Sequence, residues 1–142
     1  MPNAIRIRAN RATNTAPSAW SARLHRMTER TFNVEKLVRF SDAKATVTEL
    51  VVNEYSRIAV WGVRPGQEVP AHTHPAGQDT WIMLRGELTY YLGNGARRGI
   101  RAGDLDIADR DEVHGAINDG NEDAVFLSIY NAPEIGWAKA EP

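Results

Sequence analysis

Residues 66–86, GQEVPAHTHPAGQDTWIMLRG, concentrate nitrogen and oxygen donors inside a run that otherwise reads as strand. Side chains alternate across a strand, so His72 and His74 share one face and Thr73 takes the other. Two imidazoles on one face can share a metal ion. If the short link over residues 75–78 folds back, the carboxylate of Asp79, at the start of the next strand, returns to the same ion. A mixed nitrogen and oxygen set of this kind suits Fe(II), Mn, Ni or Zn. A third imidazole is then required, and His114 is the candidate. Taken alone, a His-x-His pair is more often two half-exposed residues on a strand, so the rest of the chain carries the argument.

Upstream, residues 46–52 (TVTELVV) and 55–63 (YSRIAVWGV) are rich in β-branched and aromatic residues, with Asn53-Glu54 as the turn between them. Arg64-Pro65-Gly66 ends the second run, because proline fixes φ and glycine tolerates the turn. Further strands are expected at 69–74, 79–84, 87–92, 97–101, 104–108, 113–117 and 124–131. Gly93-Asn94-Gly95 is the strongest hairpin signal; Gly103, Asp109-Arg110-Asp111 and Asn118-Asp119-Gly120 separate the later strands. Residues 21–30 can form one short helix. Short strands at regular spacing with polar turns and no long helix imply an all-β sandwich or barrel.

A chain of 142 residues suits a single domain. Without cysteine it has no disulfide, thiolate metal ligand or cysteine nucleophile, so a metal must be held by His, carboxylate, amide or water. The net charge of −1 argues for neither nucleic acid nor an anionic membrane. Charge is nevertheless uneven. Residues 1–40 hold eight basic and two acidic residues, and the remainder nine basic and sixteen acidic. This defines a basic N-terminal arm at 1–40 and a body at 41–142. The arm's Arg, Ala, Ser and Thr also resemble an organellar transit peptide. The preferred reading is an arm that packs on the body or on a second subunit through Ile5, Ile7, Trp20 and Leu24. No run approaches the roughly 18 apolar residues of a membrane span, so a cytoplasmic protein is expected.

The spacing of two segments resembles the motifs of the cupin superfamily, in its small single-domain RmlC-like form. In the first, Gly66, His72, His74, Asp79 and Gly86 follow the family's order, with Asp79 where Glu is usual. In the second, Gly103, Asp109, Asp111, His114 and Asn118 do so, with Asp109 and Asp111 where Pro and Gly are usual. The resemblance covers about residues 45–131. It implies a jelly-roll (double-stranded β-helix) barrel around one divalent metal ion (Fe, Mn, Ni or Zn), with His72, His74, Asp79 and His114 as ligands. Asp79 is one methylene shorter than Glu, which leaves Gln78 as the alternative oxygen ligand if a bulge turns it inward. The family's frequent pairing suggests a homodimer through the arm.

Trp81 and Met83 follow Asp79 on the same face and are read as core rather than cavity lining. Asn118 is either a hydrogen-bonding neighbour of the site or a turn residue. Tyr90, Tyr91 and Glu87 are the groups to test for reach into the interior. Arg64, Glu68 and Arg85 read as solvated strand ends, and His25 as exposed. No phosphate-binding glycine loop, serine elbow or His-Glu-x-x-His helix competes. The leading expectation is a metal-dependent enzyme of dioxygenase, isomerase or cyclase type acting on a small oxygen-bearing molecule. The alternative is a non-catalytic binding or sensor module that contains the metal.

Overall fold

The alternation of apolar and polar residues is realised as short antiparallel strands. A one-turn helix α1 (Val34–Leu37) precedes β1 (Thr46–Val52), β2 (Arg57–Val63), β3 (Glu68–Thr73), β4 (Asp79–Arg85), β5 (Glu87–Gly93), β6 (Ala96–Arg101), β7 (Leu105–Ala108), β8 (His114–Ile117), β9 (Ala124–Tyr130) and β10 (Ala138–Lys139). The structure is a computed structural model that describes residues 30–142, of which Val34–Pro142 form one compact unit. Residues 1–29, with the arm's apolar anchors, His25 and nearly all of the expected helix, lie outside the described residues.

One sheet has the order β1-β2-β9-β4-β7 and the other β10-β3-β8-β5-β6. The expected barrel is therefore corrected. Closure requires ladder hydrogen bonds across both seams, and among the described residues no strand of one sheet pairs with a strand of the other. Each sheet instead ends in edge strands. β7 has four residues and β10 two, while the edge strand β6 exposes Arg97, Arg98 and Arg101. Short and charged edges of this kind discourage further pairing. The fold is an open two-sheet β structure held together by side chains.

The turns follow local chemistry. Asn94 and Gly95 have φ of 54° and 75°, the pair of left-handed residues that a type I′ hairpin turn requires. The turn after β1 is longer than expected. Asn53 Oδ1 accepts from the amides of Tyr55 (2.8 Å) and Ser56 (3.0 Å), so β2 begins at Arg57 and Tyr55 is left exposed.

Between the sheets, Val63, Val69, Trp81, Met83, Leu88, Tyr90, Ala116 and Phe126 form the main core. Trp81 stacks on Phe126 at a centroid distance of 4.0 Å and meets Tyr90 edge-on at 5.2 Å, geometries that add to plain area burial. A second cluster covers the outer face of the first sheet, where Val34, Leu37, Val38 and Phe40 pack with Leu50, Val60 and Val125.

One irregularity places the metal-ligand candidates. β3 pairs with β8 as Val69↔Ala116 and then His72↔His114, so three steps on β3 face two on β8. This bulge reverses parity. Val69 and His72, which a regular strand would turn to opposite faces, are both buried. Gly115 makes room for it, because a Cβ there would lie 2.7 Å from the Val69 carbonyl oxygen and 2.9 Å from the Ala71 Cα.

Candidate metal centre

His72 and His74 come from β3 and its end, Asp79 opens β4, and His114 opens β8. All four are buried, and one ligand atom from each lies within 4.8 Å of every other. Metal–nitrogen and metal–oxygen bonds of about 2.0–2.2 Å put opposed ligands roughly 4.2 Å apart, so a small inward adjustment completes such a shell. Gln78 is not in this group. Its side-chain amide donates to Thr80 Oγ1 at 3.1 Å, on the strand face opposite Asp79.

Each imidazole is oriented by a backbone carbonyl. His72 Nδ1 lies 2.7 Å from Pro70 O, His114 Nδ1 lies 3.0 Å from Glu112 O, and His74 Nδ1 meets Gly136 O. A carbonyl oxygen only accepts, so each Nδ1 carries the proton and each Nε2 keeps its lone pair for another partner. Among the described residues, His74 Nε2 and His114 Nε2 are buried without a hydrogen bond. They lie 3.7 and 3.5 Å from Asp79 Oδ2, beyond normal hydrogen-bonding distance. Buried nitrogens aimed at one point beside a carboxylate, with no protein partner, are what a divalent cation satisfies. The residues fit the ion.

Electrostatics favour the ligating forms. Burial, reinforced by His114, lowers the His72 pKa to about 4, against the hydrogen bond to Pro70, so the ring is neutral near pH 7. Burial alone would push the Asp79 carboxyl up. The adjacent His114 and His74, with hydrogen bonds from Ser128 and Trp81, outweigh that and hold it well below the usual carboxylate range. Ser128 Oγ donates to Oδ1 at 2.7 Å and Trp81 Nε1 to Oδ2 at 2.8 Å. The shorter Asp is thus positioned by two donors. Trp81 and Met83 are both core residues, and Trp81 is also a partner of the site.

Two neighbours, Trp137 and Gly136, had no signal in the pattern. Trp137, 58% exposed, stacks on His72 at 5.7 Å, and Gly136 supplies the His74 contact from a segment without strand alternation. The Tyr130 ring lies 4.9 Å from that of His74, and burial, with the Asp79 charge, pushes its phenol up to about 12. Asn118 is a turn brace: its Nδ2 donates to Val63 O and Glu122 O, each at 2.8 Å. Asp111, where the family's glycine is usual, has φ of 64° and donates its amide to His74 O at 3.0 Å. Asp tolerates that left-handed conformation. Tyr91 is buried on the face of β5 opposite Leu88 and Tyr90, with its hydroxyl donating to Glu68 Oε1 at 2.7 Å, and Glu87 is exposed. A cavity of about 730 Å³ opens beside Tyr90, Arg98, Asp106 and Glu112. Tyr90, which lines it, meets Trp81 edge-on, and Trp81 in turn meets the His114 ring edge-on. No helix of the described residues is long and apolar enough to cross a membrane.

Comparison with known proteins agrees with this architecture. A protein with a double-stranded β-helix domain from Klebsiella pneumoniae subsp. pneumoniae superposes with a TM-score of 0.77 at 39% identity, covering 80% of this chain and 99% of that one. A recombinant oxalate oxidase in complex with glycolate superposes with a TM-score of 0.60 at 25% identity, over 70% of this chain and 56% of the other. Germin-like protein 3-5 of Oryza sativa subsp. japonica is 31% identical over 106 residues, 65% of this chain and 47% of its own length. The chain spans about half the length of the germin-like relatives it matches. The Cupin domain family matches residues 59–130. With that match covering half of the chain, the protein belongs to the cupin superfamily, as an RmlC-like cupin domain.

Proposed function

We propose that this cupin domain is a metal-dependent enzyme acting on a small oxygen-bearing organic molecule, with His72, His74, Asp79 and His114 holding one divalent ion. The observation that carries the reading is the convergence of buried, partnerless imidazole nitrogens on the Asp79 carboxylate. A divalent ion held by four side chains keeps open positions where it polarises a substrate oxygen, and as Fe(II) or Mn it also supports oxidative chemistry. The chain's own contribution is preorganisation. Three backbone carbonyls hold the imidazoles in the ligating tautomer, Ser128 and Trp81 keep Asp79 ionised and aimed, and Trp137 shields His72 from water. The likeness to an oxalate oxidase bound to glycolate supports a small acid as the substrate class.

The same burial supports a second reading, in which the ion braces the sheets or holds a ligand without reaction. His72, the most exposed ligand candidate, is only 5% exposed and lies under Trp137. Elemental analysis of untagged protein, beside His72→Ala and His114→Ala, tests the centre common to both. Near one equivalent of Fe, Mn, Ni or Zn in the wild type, lost in both variants, is expected. Metal indifferent to both substitutions would remove the centre. Turnover of oxalate or glycolate by the loaded protein then separates enzyme from binder.

A further inference from the structure

Three side chains stand in one row across the first sheet. Arg57 pairs with Tyr130, and Tyr130 pairs with Asp79, in the antiparallel registers of β2, β9 and β4. Directly paired residues point to the same side of a sheet. Asp79 faces the three imidazoles, so Tyr130 and Arg57 share its face. Strands are spaced about 4.8 Å apart, which puts the Arg57 backbone roughly 10 Å from that of Asp79, a gap its long side chain can shorten. Tyr130 stands on the strand between them, with its ring 4.9 Å from that of His74.

The Arg57 guanidinium lies between two carboxylates, Glu49 and Glu134. Its buried Nε forms an ion pair with Glu49 Oε1 at 3.3 Å but, among the described residues, makes no hydrogen bond. A terminal nitrogen faces Glu134 at 3.9 Å, but that carboxylate's side chain is 89% exposed. An ion pair so long and so wet contributes little and is readily exchanged. The planar fork of arginine matches a carboxylate in a two-point contact that a neutral group cannot reproduce.

We propose that Arg57 and Tyr130 select a short organic carboxylate at the His72, His74, Asp79 and His114 centre, Arg57 pairing with the acid group and the Tyr130 hydroxyl donating to one of its oxygens. This rests on the metal-centre reading above. Arg57 is the determinant of charge and Tyr130 of position. A ligand that reaches both the centre and Arg57 spans a single row of the sheet, which sets the limit on its length.

The test is calorimetric binding of glycolate and of its neutral amide to the full, metal-loaded chain, with metal content measured on every sample. The wild type is expected to bind glycolate at least about tenfold more tightly than the amide, the scale of a charge-assisted hydrogen bond. Arg57→Gln should lower glycolate affinity by about that factor and abolish the preference. Arg57→Lys, which keeps the charge and loses the fork, should fall between, and it carries the test if Arg57→Gln does not fold. Tyr130→Phe should weaken both ligands several-fold. Glycolate affinity unchanged in a metal-replete Arg57 variant overturns the inference and leaves the centre standing; a wild type that takes up no metal overturns the centre itself.

Discussion

The inner face of the first sheet holds two rows built by the same three strands and opposite in character. In one, Trp61, Phe126 and Met83 lie side by side and satisfy one another by contact. In the other, four residues further along each strand, stand Arg57, Tyr130 and Asp79, opposite three imidazoles of which two present nitrogens without a hydrogen-bond partner among the described residues. Backbone pairing is alike in both. The difference lies in what burial leaves unsatisfied: apolar side chains gain from losing water, whereas a desolvated nitrogen lone pair requires a new partner. The apolar row therefore stabilises the fold, whereas the polar row faces two nitrogens that a metal ion can satisfy.

Four perturbations bear on that division. Met83→Ala, in the apolar row, should cost about 2–5 kcal/mol in denaturant unfolding while the folded fraction keeps its full metal content. Loss of metal in parallel with stability would show that the rows are not separable. Acidification acts on the polar row. The unfolded chain protonates His72 near its ordinary value of 6.5, and the folded chain only near 4. Between those values the unfolded state binds the extra proton, so stability of the metal-free chain should fall as pH falls through this window, by at most about 3 kcal/mol. Above pH 6.5 this group contributes no slope. Asp79, held low, loses its own contribution only below the ordinary carboxylate range. A pH titration of the unfolding midpoint, flat from 7 to 4, would contradict the burial of a neutral His72. The smallest effect is expected beside the site. Gln78→Ala removes a half-exposed bond to Thr80 and should change stability by less than about 0.5 kcal/mol, with metal content at the wild-type level. Asp79→Ala should lose the metal.

Much of the strand order was legible, because alternation and turn chemistry are local. Asn94-Gly95 declares its own turn through two left-handed residues, and the segment from Glu87 to Arg101 reads as a hairpin without reference to anything distant. The four candidate ligands were legible as residue types at a family's spacing. Their partners were not. Ser128 lies 49 residues from the carboxylate it contacts, and Gly136 lies 62 residues from His74. Nothing in the alternation after Asn131 marks a strand, yet β10 pairs with β3 and carries Trp137 to His72. The helix α1 escaped notice because its apolar residues serve a sheet's outer face, not a helical stripe of their own.

By itself, then, the sequence determined where strands and turns fall and which side chains can ligate a metal, since both depend on neighbours within a few residues. Open sheets rather than a closed barrel were decided only in the tertiary structure, because the same alternation serves both and only pairing at the seams distinguishes them. The bulge opposite Gly115 belongs there too. An extra residue on β3 turns His72 to the side of Val69, and that reversal depends on a partner strand some forty residues away. Convergence of three imidazoles and a carboxylate is a property of two sheets meeting, which no single strand can specify.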